Sequence, residues 1–159
     1  MNSVLFICSA NICRSPMAMG LLRSMVEDSS DQWKIESSGV WDMGDQPAAL
    51  NTKLVLKERG IDLNDHVSRT VTDTTVSEFN LVLVMEDNHK EVLKLVFPEY
   101  TDRIYLLSEM VGEIFDIVDP IGGSFADFEE TALEMERILS DGFEKINKLA
   151  ADILVTDAS

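Results

Sequence analysis

Two kinds of apolar pattern alternate along the chain. Short, nearly continuous apolar runs, SVLFICSA at 3–10 and NLVLVM at 80–85, carry no charge and predict strands buried on both faces. WKIESSGV at 33–40 and RIYLLSEM at 103–110 are the second and fourth strand candidates. Between the runs, apolar residues recur at helical spacing. Met17, Leu21, Leu22 and Met25 predict a helix over 15–28, with Ser15 as cap and Pro16 in the first turn. A second helix opens at Pro47 and closes at Gly60, and a third runs from Glu86 until it stops near Pro98. From Ala126 to about Leu154 a long stripe of Phe128, Leu133, Ile138, Leu139, Ile146, Leu149 and Ile153 predicts one more helix, bent at Gly142. This alternation predicts a single α/β domain over residues 1–159. Its core is a four-stranded parallel sheet with helices on both faces.

Charge narrows the functions open to such a domain. The net charge of −16 argues against a nucleic-acid partner, which needs a basic footprint. Residues 111–159 hold twelve Asp/Glu against three Lys/Arg, which reads as a solvated helix face; nothing in the sequence selects a basic docking partner instead. Asn11, Arg14 and Ser15 interrupt the apolar start too soon for a secretory signal, and no apolar run reaches membrane-spanning length. The expected location is the cytoplasm, without membrane insertion. Two cysteines within six residues do not make an extracellular disulfide framework, and with two histidines at no ligand spacing they do not make a zinc site. No metal and no cofactor is expected.

The candidate chemistry lies in CSANICRSP, Cys8 to Pro16, where the first strand hands over to the first helix. In parallel α/β sheets ligands bind at the carboxyl ends of strands. A loop there, running into a helix N-terminus, offers unpaired backbone N–H groups and the positive end of the helix dipole to an anion. Arg14 adds a planar guanidinium able to hold two phosphate oxygens. The same field favours the thiolate of Cys8 at the loop's base, and a thiolate beneath a bound phosphate is a nucleophile aimed at phosphorus. Cys8, Arg14 and Ser15 thus read as a C-x5-R-S phosphate-transfer loop. A buried Cys8 packed as a small hydrophobe is the plainer alternative, but it explains neither Arg14 nor the position. Asp119 before Pro120 is by itself only a turn. Beside Cys8 and Arg14 it is a candidate general acid, with Gly122 and Gly123 supplying mobility. Trp41, set among Gly39, Asp42 and Gly44, reads as an exposed loop aromatic rather than a core one. His66 reads as a structural hydrogen-bonder and His89 as a surface helix residue.

VLFICSANICRSPMAMGLL resembles the opening of the low-molecular-weight protein tyrosine phosphatase family. The resemblance extends through SSGVWDMGDQPA, DHVSR, NLVLVMEDNH and IVDPIGGSFADFEE, in family order and spacing. It implies that Cys8 becomes a phosphocysteine, that Arg14 binds the phosphate and stabilises the transition state, and that Asp119 protonates the leaving oxygen before helping water attack. Ser9, Ala10, Asn11, Ile12 and Cys13 form the substrate cradle, Ser15 donates to the Cys8 thiolate, and Trp41 walls the site. Asn11 holds the loop's shape through bonds to Ser15, Ser37 and His66. Cys13 resembles a resolving thiol that traps an oxidised Cys8 as a disulfide, which makes the enzyme redox-regulated. The implied substrates are phosphotyrosine proteins, the implied partner a tyrosine kinase, and the expected state a monomer.

Related functions share this scaffold. Thioredoxin-coupled arsenate reductases of this fold need further cysteines downstream, and none follows Cys13. A silent phosphate-binding docking protein would not need Cys8, Arg14 and Asp119 together. Arginine phosphatases typically carry Thr where Ile12 stands, which favours phosphotyrosine here. The DPIGGS loop, in contrast, resembles the arginine-phosphatase style and lacks one aromatic wall. Protein arginine phosphatase is therefore the alternative.

Overall fold

The computed structural model describes residues 1–151. Four strands, β1 (Asn2–Cys8), β2 (Trp33–Gly39), β3 (Leu81–Val84) and β4 (Ile104–Leu106), form one parallel sheet in the order β2-β1-β3-β4. Among the described residues six α-helices surround it: α1 (Arg14–Met25), α2 (Leu50–Lys57), α3 (Asp73–Ser77), α4 (Asp87–Val96), α5 (Phe125–Asp141) and α6 (Phe143–Ala150). The expected α/β class, sheet and helical covering are all present.

The uninterrupted apolar runs follow from burial on both faces. Along β1, Val4, Phe6 and Cys8 face a core shared with Met17 and Leu21 of α1, Met135 and Ile138 of α5, and Ile146 of α6. Leu5 and Ile7 point the other way, into a second core with Val76, Phe79, Leu93 and Phe97. Residues 81–85 alternate likewise: Leu81, Leu83 and Met85 join the first core, Val82 and Val84 the second. Each large apolar side chain so buried contributes roughly 1.5–3 kcal/mol.

Several boundaries differ from the sequence-based expectation. The fourth strand stops at Leu106, and Leu107–Val111 winds into a 3-10 turn ended by Gly112 at φ 75°. Here the Glu109 carboxylate accepts the N–H of Leu106, the last residue paired with β3, at 2.6 Å, a local bond that favours the turn over a longer strand. The second helix begins only at Leu50, because Pro47 is engaged in a bridge with Val67; Gly60, at φ 75°, does end that turn. The long C-terminal helix is two helices parted at Gly142. A Cβ at Gly142 would lie 2.8 Å from the Met110 carbonyl, so close approach of the 107–111 turn sets the break. Leu133, expected on the buried stripe, is exposed. Ile153 and Leu154 lie outside the described residues.

The order β2-β1-β3-β4 changes direction between β1 and β3. Segments leaving the carboxyl ends of these neighbours diverge there and open a crevice. Residues 8–14 leave one side of it and Met85–Glu86 the other.

Candidate active site

The loop from Cys8 to Arg14 is held by buried polar bonds. Gly39, opposite Cys8 in the sheet register, has no room for a side chain: a Cβ would lie 2.8 Å from the Ser9 carbonyl and 3.0 Å from Asn11 N. This contact lets the loop fold back on β2, where the Trp41 N–H donates to Ser9 O at 2.9 Å and the Val40 N–H to Cys8 O at 3.1 Å. Asn11 adopts φ 60°, the left-handed region that few non-glycine residues enter. Its side-chain amide compensates with three partners and its backbone carbonyl with a fourth. Nδ2 donates to Ser15 Oγ at 2.8 Å and to Ser37 Oγ at 2.9 Å, Oδ1 accepts the Arg69 N–H at 3.1 Å, and its carbonyl bonds His66 Nε2 at 2.8 Å. The bonds expected from Asn11 to Ser15, Ser37 and His66 are all made. Because His66 Nε2 meets a carbonyl, it carries a proton and donates. Burial holds the His66 pKa below its ordinary value, against the pull of that bond.

Cys8 Sγ lies 2.9 Å from Ser15 Oγ. Ser15 was expected to cap α1; it is instead the helix's second residue, with Cys13 at the cap position and no side-chain cap bond among the described residues. Its hydroxyl already accepts from Asn11, so its single proton is free for Cys8 Sγ or for Ser38 O, which is farther at 3.4 Å. The nearer sulfur is the better-placed acceptor, above all as a thiolate. Cys13 is buried, and burial reinforced by the nearby Asp119 and Cys8 pushes its thiol up to about 12. It is therefore a neutral thiol at neutral pH, and both cysteines are free.

Arg14 is 1% exposed, and its two terminal nitrogens are held by protein acceptors. Nη1 donates to the Ile117 carbonyl at 2.7 Å, and Nη2 pairs with Glu86 Oε2 at 2.7 Å and Asp119 Oδ2 at 3.5 Å. Asp119 reaches Arg14 from the segment before α5, and its Oδ1 accepts the Ile121 N–H at 3.1 Å. Trp41 is 58% exposed, and Ile12 is partly buried against the first core.

The structure thus brings Cys8, Arg14, Ser15 and Asp119 to one end of the sheet. It also supplies two residues that sequence reasoning missed. Glu86 stands two residues past the end of β3 and orients Arg14; its position near the carboxyl end of a buried strand was the available signal. His89, expected on the surface, is buried in the first turn of α4, where it bonds Glu86 N and Ser9 Oγ.

An α/β sheet that carries a cysteine–arginine phosphate loop after its first strand, with a carboxylate across the crevice, defines a cysteine-phosphatase scaffold. The model of the low molecular weight phosphotyrosine protein phosphatase family matches residues 3–151, and the chain belongs to this family. It is 34% identical over 146 residues to a protein-arginine-phosphatase of Bacillus subtilis, covering 91% of this chain and 97% of that one. It is 37% identical over 134 residues to the probable low molecular weight protein-tyrosine-phosphatase EpsP of Ralstonia nicotianae, covering 84% and 88%. Among solved structures, the low molecular weight protein tyrosine phosphatase from T. tengcongensis superposes with a TM-score of 0.86 at 35% identity, covering 91% and 99%.

Proposed function

We propose that this phosphatase hydrolyses protein phosphotyrosine through a phosphocysteine on Cys8. The observation that carries the reading is the convergence of Cys8, Ser15, Arg14 and Asp119 on one crevice. In the first step Cys8 Sγ attacks phosphorus, the phosphorus–oxygen bond to tyrosine breaks, and Asp119 gives its proton to the leaving phenolate oxygen. Arg14 and the N–H groups at the start of α1 neutralise charge on the transferring phosphoryl group. Ser15 stabilises the departing thiolate when water, deprotonated by Asp119, attacks the phosphocysteine. Inorganic phosphate leaves and Cys8 is restored.

Ile12 and the exposed ring of Trp41 favour an aryl substrate. Ser9, Ala10, Asn11 and Cys13 complete the cradle mainly through the backbone, because the side chains of Ser9 and Asn11 are already bonded within the protein. Every group in the scheme comes from one chain, which supports action as a monomer on phosphotyrosine proteins, opposite in sense to a tyrosine kinase. Free, closely spaced thiols suit the reducing cytoplasm. Peroxide would convert Cys8 to a sulfenic acid. Attack by Cys13 would then form the Cys8–Cys13 disulfide with loss of water, and a dithiol would reverse it.

A second reading, protein arginine phosphatase, is favoured by the Ile121–Gly122–Gly123 sequence, which puts no aromatic ring beside Asp119. Kinetics on matched phosphotyrosine and phosphoarginine peptides decide between the two. An apolar Ile12 leaves guanidinium N–H groups unpaired at roughly 1–3 kcal/mol each, so phosphotyrosine should be preferred about tenfold to a hundredfold. Ile12→Thr should move the ratio toward phosphoarginine, and Trp41→Ala should weaken phosphotyrosine selectively. A wild type that prefers phosphoarginine overturns the substrate assignment.

A further inference from the structure

His89 is buried, polar and bonded to the phosphate loop, yet the chemistry above gives it no task. Its Nδ1 accepts the Glu86 N–H at 3.1 Å. An acceptor at Nδ1 places the proton of the neutral ring on Nε2, which then donates to Ser9 Oγ at 2.9 Å. Burial, with Arg14 nearby, lowers the pKa of this ring and keeps it neutral. One imidazole therefore bridges the two walls of the crevice. On the β1 side it holds Ser9, the residue directly after the nucleophile. On the β3 side it holds the backbone of Glu86, whose carboxylate lies 2.7 Å from Arg14 Nη2.

We propose that His89 is a positioning residue, fixing Ser9 and Glu86 in one frame so that the Cys8 thiolate and the Arg14 guanidinium address the same phosphorus. The assignment rests on the phosphatase reading. A purely architectural histidine would need only the Nδ1 bond, which closes the first turn of α4. The positioning role needs the Nε2 bond to the loop. The two are separable, because an asparagine amide oxygen takes the place of Nδ1 and a glutamine amide nitrogen takes the place of Nε2.

The test compares His89→Asn with His89→Gln by thermal midpoint, by kcat on p-nitrophenyl phosphate and by inhibition with inorganic phosphate. His89→Asn should melt near the wild type but lose about five- to tenfold in kcat, the scale of one neutral hydrogen bond, and bind phosphate more weakly. His89→Gln should melt lower yet keep kcat within about twofold. Ser9→Ala should reproduce His89→Asn, and the double variant Ser9→Ala/His89→Asn should be no slower than either single one. Equal kcat loss in the Asn and Gln variants, unchanged kcat in both, or additive loss in the double variant overturns the proposal. The nitrogen resonances of the ring give a readout independent of turnover. The wild type should show the Nε2–H tautomer, with that proton shifted in Ser9→Ala, and an Nδ1–H tautomer overturns the proposal. A wild type inert on aryl phosphate but showing the expected tautomer would sink the phosphatase reading and leave the Ser9–His89–Glu86 frame standing.

Discussion

The two walls of the crevice are built to different standards of rigidity. On the phosphate-loop side Asn11, Arg14 and Ser15 are buried, and the Asn11 side chain and carbonyl reach Ser15, Ser37, Arg69 and His66. On the other side the Asp119 side chain is 38% exposed between exposed Val118 and Ile121. Its bonds are one to the Ile121 N–H in its own turn and a 3.5 Å contact with Arg14. The difference matches the chemistry each wall performs. A nucleophile and anion cradle work best when their donors are fixed before substrate arrives. A general acid must approach the leaving oxygen and then make room for water. Stability and activity should therefore be separable on the acid wall and inseparable on the loop wall.

The largest expected effect removes the loop's chemistry while sparing its frame. Cys8→Ser should lower turnover by more than about 10⁴-fold, since an alcohol lacks the thiolate's nucleophilicity at neutral pH. Inorganic phosphate should still bind, because Arg14 and the helix N-terminus remain; equilibrium titration checks this. Retained turnover in Cys8→Ser would remove the cysteine from the mechanism.

On the acid wall, Asp119→Asn should slow phosphotyrosine hydrolysis by roughly the 10²–10⁴ that a general acid supplies. The loss should be smaller on p-nitrophenyl phosphate, whose leaving group needs no proton. Urea denaturation should show unchanged stability. A loss equal for good and poor leaving groups would disqualify Asp119 as the acid, and a large fall in stability would erase the contrast between the walls.

Asn11→Ala probes the opposite wall, where both properties should fall together. It removes the Asn11 partner of buried Ser37 Oγ and of the Arg69 N–H and takes one of three partners from Ser15 Oγ, at about 1–3 kcal/mol for a group left buried and unpaired. Shared relaxation makes the total about 2–4 kcal/mol rather than the full sum. Ser15 then loses the donor that directs its proton toward Cys8, so kcat should drop about tenfold to a hundredfold. Stability within about 0.5 kcal/mol of the wild type would show that the loop holds its left-handed turn without Asn11.

The sequence revealed the loop wall better than its supports. Strands β1 and β3 are legible because burial on both faces demands uninterrupted apolar residues, and the phosphate loop is legible because Cys8, Arg14 and Ser15 keep a fixed spacing at a strand end. Glu86 and His89 look like ordinary polar residues at the start of a helix. Their importance appears only once β3 is known to lie beside β1. The break at Gly142 depends on the approach of Met110, and the early end of β4 on Glu109 taking the Leu106 N–H. Both are tertiary or side-chain events that apolar periodicity does not encode. Helix α3, five residues long, offers too few turns for a helical stripe to register.

The smallest effect concerns the tie between His66 and the loop. Burial depresses the His66 pKa, so the folded protein takes up this proton less readily than the unfolded chain, whose histidine titrates near 6.5. The contribution is fully present above the unfolded pKa and is lost as pH falls through the folded one. Stability should therefore decline on acidification below about pH 6.5. The slope for one proton is bounded by about 1.36 kcal/mol per pH unit. Acidification also relieves the repulsion of a chain carrying −16, which pushes the other way. Comparison with His66→Gln cancels that background, since glutamine can still donate to the Asn11 carbonyl but does not titrate. His89 is also depressed and is common to both proteins. Between pH 7.5 and 5.5 the wild type should lose stability more steeply than His66→Gln in urea titrations. Parallel curves would mean that His66 titrates alike in the folded and unfolded chain, and would deny the loop a partly buried neutral imidazole at its base.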